Sequence, residues 1–461
     1  MTQRTSPAGR LLFLFLLSSF FLLFRLGNGS LASWDEAIYA SVAKEVFQSG
    51  GWLRFTFGGD LWFDKPPLCI WATALSYKLF GVSEFSARLF PALTGIGTVL
   101  VTYLAGRRLL GDWAGFLGAL VLLSSSHFLH FSRFAMMDVP LTFFLSLSFY
   151  FFWLGRERNR YLALSGAAVG LAFLTKGFAA FLVFPVVWLY AWWAGELKVL
   201  GRSSYWVGVM IAVAIALPWN LYEMIRYRET FMQDVVVKHL FVRTSRAIEG
   251  HAGNLYFYVR TMVNKYHPWA LVAVFSAPFF LWKAARERKE ETVFLAAWIF
   301  VIFGAITLIR TKLHWYIFPI YPALSLSVGS VLAKIAGERK RWWVSLLFAA
   351  GLSLHIPYSH ILNHDYSRDI KGLASTVKEK VPPSEKVYLY NYHETPAAWF
   401  YTERKSDYLD DPGAFVQKAK EGGTFFCLIH EKHWTEIQGL LKGRPVSVEG
   451  VFEGLKLLKV S

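Results

Sequence analysis

Cysteine is almost missing from this chain of 461 residues, with Cys69 and Cys427 the only two. One lies beside an apolar segment and the other in a polar tail, which gives little basis for a disulfide or a thiolate metal site. Charge is scarce as well: Asp, Glu, Lys and Arg make up 17% of the residues, where a soluble globular chain carries about 25%. That excludes an ordinary water-soluble enzyme. There is no GxGxxG and no P-loop, so nothing marks a nucleotide or nucleotide-sugar site. No His/Cys group has zinc spacing, and neither a repeat period nor a low-complexity tract is visible. Acids are the scarcer charge, 32 against 48 Lys and Arg, for a formal net charge of +16. In a soluble protein that excess would suggest nucleic acid, but no nucleic-acid motif accompanies it, and in a polytopic chain basic residues collect in cytoplasmic loops.

What fills the chain instead is apolar: 55% hydrophobic and 18% aromatic residues, arranged in uninterrupted runs that read as repeated membrane spans. The run from Leu11 to about Leu26 follows Arg4 and Arg10 without a small-residue cleavage site, so it is expected to be an uncleaved first span with its N-terminus inside. Further spans are expected near residues 88–106, 113–130, 139–155, 161–175, 178–194, 205–222, 256–282, 293–309, 314–333 and 342–358, about eleven in all. The apolar segment Pro66 to Phe80 is too short to cross and is expected in the interface. With that choice Arg107 and Arg108, the Arg156, Arg158 and Arg160 cluster, Lys198 and Arg202, Lys283 to Lys289, and Lys334 to Arg341 all fall on the cytoplasmic side.

The outer face then receives residues 27–87, the turn around Asp138, the loop of about 223–255, the turn from Arg310 to Trp315, and the tail. The expected fold is therefore a polytopic α-helical membrane domain over residues 1–358, with interfacial helices, followed by a small periplasmic α/β domain over residues 359–461. In that tail, strands are expected at Val387 to Tyr390, Thr424 to Ile429, Val446 to Phe452 and Leu455 to Val460, with helices near 367–380, 412–421 and 431–441.

Ionisable residues stand out against this background. Trp34, Asp35, Glu36 and Tyr39 open the first outer loop; the two acids suit the first turn of a helix, or a carboxylate base beside a low-dielectric wall. Asp64 and Lys65 precede Pro66 and Pro67, which start the interfacial segment. That places Lys65 at headgroup level, either snorkelling or facing a phosphate. Asp138 follows Arg133 and the Met136-Met137 turn between two long apolar runs, as a plain turn residue or a site acid. The later outer segments add Lys238, His239, Arg243, Arg246 and His251, then Arg310, Lys312, His314 and Tyr316. Cations on the outer side run against the positive-inside rule and call for an anionic partner, which a phosphate-bearing lipid would supply.

Taken together, Trp34-Asp35-Glu36, Asp64-Lys65-Pro66-Pro67-Leu68, Asp138, Arg243 with His251-Ala252-Gly253, and Lys312 through Pro319 with Tyr321-Pro322 resemble a GT-C glycosyltransferase of the 4-amino-4-deoxy-L-arabinose lipid A transferase type, itself similar to protein O-mannosyltransferases. The resemblance covers residues 1 to about 358. It implies a multi-pass bacterial inner-membrane enzyme that takes a pentose or hexose from an undecaprenyl-phosphate carrier and transfers it, with inversion, to lipid A or another glycan or protein acceptor on the periplasmic side. Asp35 matches the family's candidate base and Asp138 its second acid, with Glu36 beside them. Lys65, Arg243, Lys312 and Tyr316 are expected at the carrier phosphate, and Trp34, Tyr39, Asp64 and His251 at the substrate. Asp64 stands where aminoarabinose transferases carry Glu, which leaves the sugar open. No cofactor or resident metal is required, although Asp35, Glu36 and Asp138 offer hard oxygen ligands to a divalent cation. The rival reading is a transporter or flippase of lipid-linked sugars, which would favour inverted repeats and midplane charges over charges gathered at one face.

Overall fold

The computed structural model describes residues 6–233, 237, 242, 245, 250–336, 348, 365–441 and 443–461. The chain divides into two compact units. One comprises Met1–Leu26, Phe63–Ala72 and Arg88–Ile361, and the other Gly27–Trp62, Thr73–Ala87 and Leu362–Ser461.

The first unit is helical because its sequence offers apolar side chains all round each helix and no water-facing stripe, the pattern of a chain that lies in a membrane. Among the described residues, six stretches are long and apolar enough to cross: Glu84–Leu110, Asp138–Gly155, Arg160–Trp193, Ser203–Phe231, Glu290–Leu308 and His314–Ala336. Pro7–Leu23, Leu68–Phe80 and Asp112–Ser124 are shorter apolar helices. The differences from the expected spans have local causes. The run 113–130 breaks at Ser125, whose hydroxyl accepts from Phe128 N at 3.4 Å and starts a new helix, Ser126–Phe131. The runs 161–175 and 178–194 join through the 3-10 turn Gly177–Leu182. The run 256–282 breaks around Pro268, between the helices Phe257–Lys265 and Ala270–Glu287. The interfacial segment forms the helix Leu68–Phe80, whose 13 residues reach only ~20 Å. The run 342–358 lies outside the described residues.

Several buried polar groups of this unit pair with each other or with the backbone, as an apolar surround favours. The first helix ends with unsatisfied carbonyls, and the buried Arg133 guanidinium donates to those of Phe21 (2.7 Å), Phe24 (2.9 Å) and Arg25 (3.3 Å). His127 Nδ1 meets the Tyr321 hydroxyl at 2.8 Å while its Nε2 meets His314 Nδ1 at 3.0 Å. Where helices touch without side chains between them, glycine lines the seam: a Cβ on Gly329 would lie 2.3 Å from Gly118 N, and one on Gly166 1.9 Å from Gly208 O.

In the second unit, β1 (Thr56–Phe57) and β2 (Asp60–Leu61) form a small hairpin after the helix Asp35–Ser49. The tail folds into a five-stranded sheet of β3 (Val387–Tyr390), β4 (Ser406–Leu409), β5 (Phe425–His430), β6 (Val446–Phe452) and β7 (Leu455–Val460), in the order β4-β3-β5-β7-β6. β3 pairs in parallel with both β4 and β5, and β7 runs antiparallel between β5 and β6. One face is closed by Tyr390, Phe415, Phe425, Cys427, Ile429 and Ile437, and the helix Arg368–Lys380 buries Ile370, Leu373 and Val377, a one-sided stripe. Three strands lie where the apolar runs indicate and β5 begins one residue later. β4, with its polar sequence SDYL, and the eight-residue helix Thr395–Thr402 are additions that periodicity over so few residues does not reveal. Both cysteines are buried, unpaired thiols.

Filling the glycine seam is expected to separate helix backbones. Gly118→Val should destabilise the protein by about 1 to 3 kcal/mol, read as a lower melting temperature in detergent, whereas Gly304→Val, at a glycine with nothing within 4 Å of an added Cβ, should leave it near wild type.

Candidate active site

Two helix ends of opposite polarity meet at the wall of a cavity in the first unit. Asp138 is the first residue of Asp138–Gly155, where the positive end of the helix dipole favours a carboxylate. Lys176 is the last residue of Arg160–Lys176, where the negative end favours a cation. Gly177, at φ +59, ends that helix in a conformation that L side chains rarely adopt. The chain turn thereby brings Lys176 Nζ to 2.5 Å from Asp138 Oδ1, with the Asp138 side chain only 3% exposed. A buried charge of this kind is held by its partner.

Around the pair is a cavity of about 290 Å³ whose walls include Asp64, Lys65, Asp138, Lys176, Asn220 and Tyr316 among Phe63, Pro66, Phe173, Phe178, Trp219 and Pro319. Lys65 Nζ donates to the Asp64 carbonyl at 3.2 Å, and Lys176 Nζ lies 5.0 Å from the Tyr316 ring centre. An apolar groove of about 300 Å³ shares Phe173, Phe178 and Asn220 with this cavity and is lined otherwise by residues such as Val169, Ala212, Leu217 and Met224. A cavity with charged groups and an apolar groove therefore share a wall.

Of the residues singled out from sequence, Asp64, Lys65, Asp138 and Tyr316 come together here. Lys312 does not line the cavity. Its ammonium donates to the carbonyls of Ile306, at 3.0 Å, and Thr307, closing the C-terminal end of Glu290–Leu308. Burial, with Arg310 nearby, lowers its pKa. Lys312 N also donates to the His251 carbonyl at 2.8 Å, beside a single bridge between Ala252 and Thr311, while the His251 side chain is exposed. Arg243 lies outside the described residues. Lys176 and Asn220 are the additions. Lys176 carried a faint signal, being the one charged residue between Tyr161 and Trp193, but it falls in the two-residue gap between the runs 161–175 and 178–194.

Trp34, Asp35, Glu36 and Tyr39 belong to the second unit. Asp35 starts the helix Asp35–Ser49 and is partly exposed, while Trp34 before it is exposed and holds φ +69, an unfavourable backbone for a side chain of its size. Glu36 is buried and its Oε2 accepts from Ala32 N at 2.7 Å, bracing the turn from behind. Tyr39 is buried edge-on to Trp62. The tail holds the approach to this turn: Leu31 N donates to the Tyr401 hydroxyl at 2.7 Å, Ser367 Oγ to the Leu31 carbonyl at 3.0 Å, and Ser30 N to Asp365 at 2.8 Å. Further along the same helix, Lys44 donates to Glu403 at 2.7 Å and Glu45 accepts from Trp399 Nε1 at 2.8 Å. Burial lowers the Lys44 pKa despite Glu403. For Glu403, burial acts to raise the pKa, but Lys44 and Lys378 outweigh it and push the carboxyl down to about 2. Among the described residues, no group of three or more His, Cys, Asp or Glu side chains is placed to hold a metal ion.

Residues 64–222 match the dolichyl-phosphate-mannose-protein mannosyltransferase family. A protein of Aquifex aeolicus is 30% identical over 364 residues, covering 76% of this chain and 71% of that one. The undecaprenyl phosphate-alpha-4-amino-4-deoxy-L-arabinose arabinosyl transferase 2 of Pseudomonas fluorescens is 32% identical over 329 residues, 69% of this chain; the match spans 55% of that enzyme's length. In fold, the chain is similar to ArnT from Cupriavidus metallidurans, solved bound to undecaprenyl phosphate, with a TM-score of 0.77 at 20% identity over 98% of both chains.

Two outcomes are expected from this geometry. Lys176→Met should strand Asp138 and lower stability by about 3 to 5 kcal/mol, and Asp138→Asn in the same chain should restore most of the melting temperature without restoring activity. The second concerns pH. Because Glu403 titrates at about 2 in the fold against 4.5 for a free carboxyl, its contribution is complete above about 4.5 and is lost as pH falls through about 2. Glu403→Gln should therefore flatten the fall in melting temperature over that window, and equal slopes in both proteins would refute the assignment.

Proposed function

We propose that this chain is a GT-C membrane glycosyltransferase that moves a sugar from an undecaprenyl-phosphate carrier to lipid A or another cell-envelope acceptor on the periplasmic side of the bacterial inner membrane. The observation that carries the reading is the shared wall of the two cavities in the first unit: Lys65, Lys176 and Tyr316 line a space for a phosphate, and the apolar groove beside it suits an isoprenoid tail. The names of the similar Pseudomonas transferase and of the Cupriavidus complex point to the same carrier.

On this reading the acceptor oxygen attacks sugar C1 from the face opposite the carrier. The C1–O bond to phosphate breaks as the new glycosidic bond forms, the configuration inverts, and carrier monophosphate departs. Negative charge grows on the departing phosphate, so Lys65 and Lys176, with Arg243, stabilise the transition state more than the bound donor. Asp138 orients Lys176 through their ion pair. Asp35 takes the proton when the acceptor is a hydroxyl; an acceptor phosphate is already anionic, and Asp35 then orients it. Glu36 holds the turn that presents Asp35.

The test is transfer by purified protein from undecaprenyl-phosphate-linked pentoses and hexoses to lipid A and to a cell-envelope extract, followed by mass spectrometry. Asp35→Asn should slow transfer about 10² to 10⁴-fold while carrier binding persists, and Lys65→Ala should weaken carrier binding. Unchanged rates in both variants, or an intact carrier with every donor, would sink the proposal.

A further inference from the structure

The tail sheet has a second constellation, apart from the residues that the transfer step uses. β3, β4 and β5 run parallel, so their carboxyl ends share one edge. From β3 the chain leaves through the helix Thr395–Thr402 towards β4; from β5 it leaves through the helix Glu431–Gln438 towards β6 and β7 on the other side. The two exits diverge, which makes the gap between the ends of β3 and β5 a topological switch point, the place where open α/β sheets bind ligands.

The residues at that gap are not loop filler. All three histidines of the described tail, His393, His430 and His433, lie at or just beyond these two strand ends. The Tyr392 hydroxyl donates to Asp369 Oδ2 at 2.6 Å, and His430 Nε2 lies 3.3 Å from the same oxygen, with the His430 ring edge-on to Tyr392. Asn391 Nδ2 reaches His433 Nε2 at 3.5 Å, and Asn391 itself holds φ +44, so the backbone at the tip of β3 is kept in a left-handed conformation. The His430 and His433 side chains are 25% and 17% exposed, open enough to be reached and fixed enough to be preorganised.

The chemistry selects the ligand. Two imidazoles, an amide, a phenol and a carboxylate provide donors and acceptors side by side, and Tyr392 adds an aromatic ring. Carboxylates stand along this edge, Asp410 3.9 Å from His393 and Glu436 3.4 Å from His433, while Lys456 and Arg368 are tied to Glu431 and Glu453. Such an edge repels phosphate and carboxylate. It matches sugar rings without anionic groups, whose hydroxyls donate and accept and whose C–H face packs on an aromatic ring. The edge also continues into the braces of the acid-bearing turn, because Ser367, two residues before Asp369, and Glu394, two after Tyr392, hydrogen-bond each other at 2.9 Å, and Ser367 holds Leu31.

We propose that the crevice between the carboxyl ends of β3 and β5, lined by Asp369, Asn391, Tyr392, His430 and His433, is a carbohydrate subsite for non-anionic sugar units of the acceptor. Its role as an acceptor subsite rests on the transferase reading; its binding of sugar does not. Full-length protein in detergent, applied to an array of printed bacterial surface glycans that includes phosphorylated ones, should retain neutral or amine-bearing glycans. With the best of these in solution, Tyr392→Phe and His433→Ala should each weaken binding about tenfold, and Asp35→Asn should bind as wild type while failing in transfer. His433→Ala alters a partly exposed helix position, so it keeps the test valid if Tyr392→Phe does not fold. No glycan retained, retention of anionic glycans only, or wild-type affinity in His433→Ala would overturn the subsite and leave the transfer reaction standing. Loss of transfer activity from every carrier, with glycan binding intact, would do the reverse.

Discussion

A charge buried in an apolar wall must be paired, and the Asp138–Lys176 ion pair is where this protein meets that requirement. Each partner occupies the helix end whose dipole suits it, so the pair stabilises two helix termini as well as itself. It also dictates chain path. The helix Arg160–Lys176 has to stop where its last residue meets Asp138, and Gly177 permits the backbone to turn there. The cavity lies around that stop, and the following 3-10 turn contributes Phe178 to both the cavity and the apolar groove.

The second unit answers a different constraint. An acid at the first turn of a helix is easily placed, but the Trp34 backbone before it is unfavourable and persists only if its surroundings over-determine it. Here Ser367, Asp365 and Tyr401 take the backbone polar groups of residues 30 and 31, Glu36 takes that of Ala32, and Lys44 and Glu45 fasten the rest of the helix to the tail. The tail thus folds with the segment that carries Asp35. Linear order separates them by more than 300 residues, as in the pairing of Leu31 with Tyr401, and no periodicity within either segment reveals it.

That separation explains what could be read from sequence. Asp64, Lys65 and Asp138 are legible because an ionisable residue beside a long apolar run is conspicuous. The tail strands β3, β6 and β7 are legible because each is an apolar run bounded by turns. Lys176 is harder, since it sits next to Gly177 between two runs and reads as a loop cation; only folding shows that it ends the helix Arg160–Lys176 and meets a carboxylate. Lys312 shows the opposite limit. A cation in an outer turn reads as a phosphate ligand, but the carbonyls of Ile306 and Thr307 at a helix end compete for the same ammonium, and proximity along the chain decides for them.

In the proposed reaction, lysine in the cavity suits what a leaving phosphate needs. Arg binds phosphate through two parallel hydrogen bonds in a fixed plane. Lys is a compact charge on a flexible stem, able to follow an oxygen as its charge grows. In the proposed reaction such a cation favours the charged transition state over the donor diester, and uniform tight binding of both would bring no acceleration. Lys176 is held on one side by Asp138, which fixes its position while leaving its other N–H bonds to face the cavity and Tyr316. Pairing a cation with a buried acid therefore keeps the charge inside an apolar wall, and in the proposed reaction it also aims that charge at the space where the phosphate leaves.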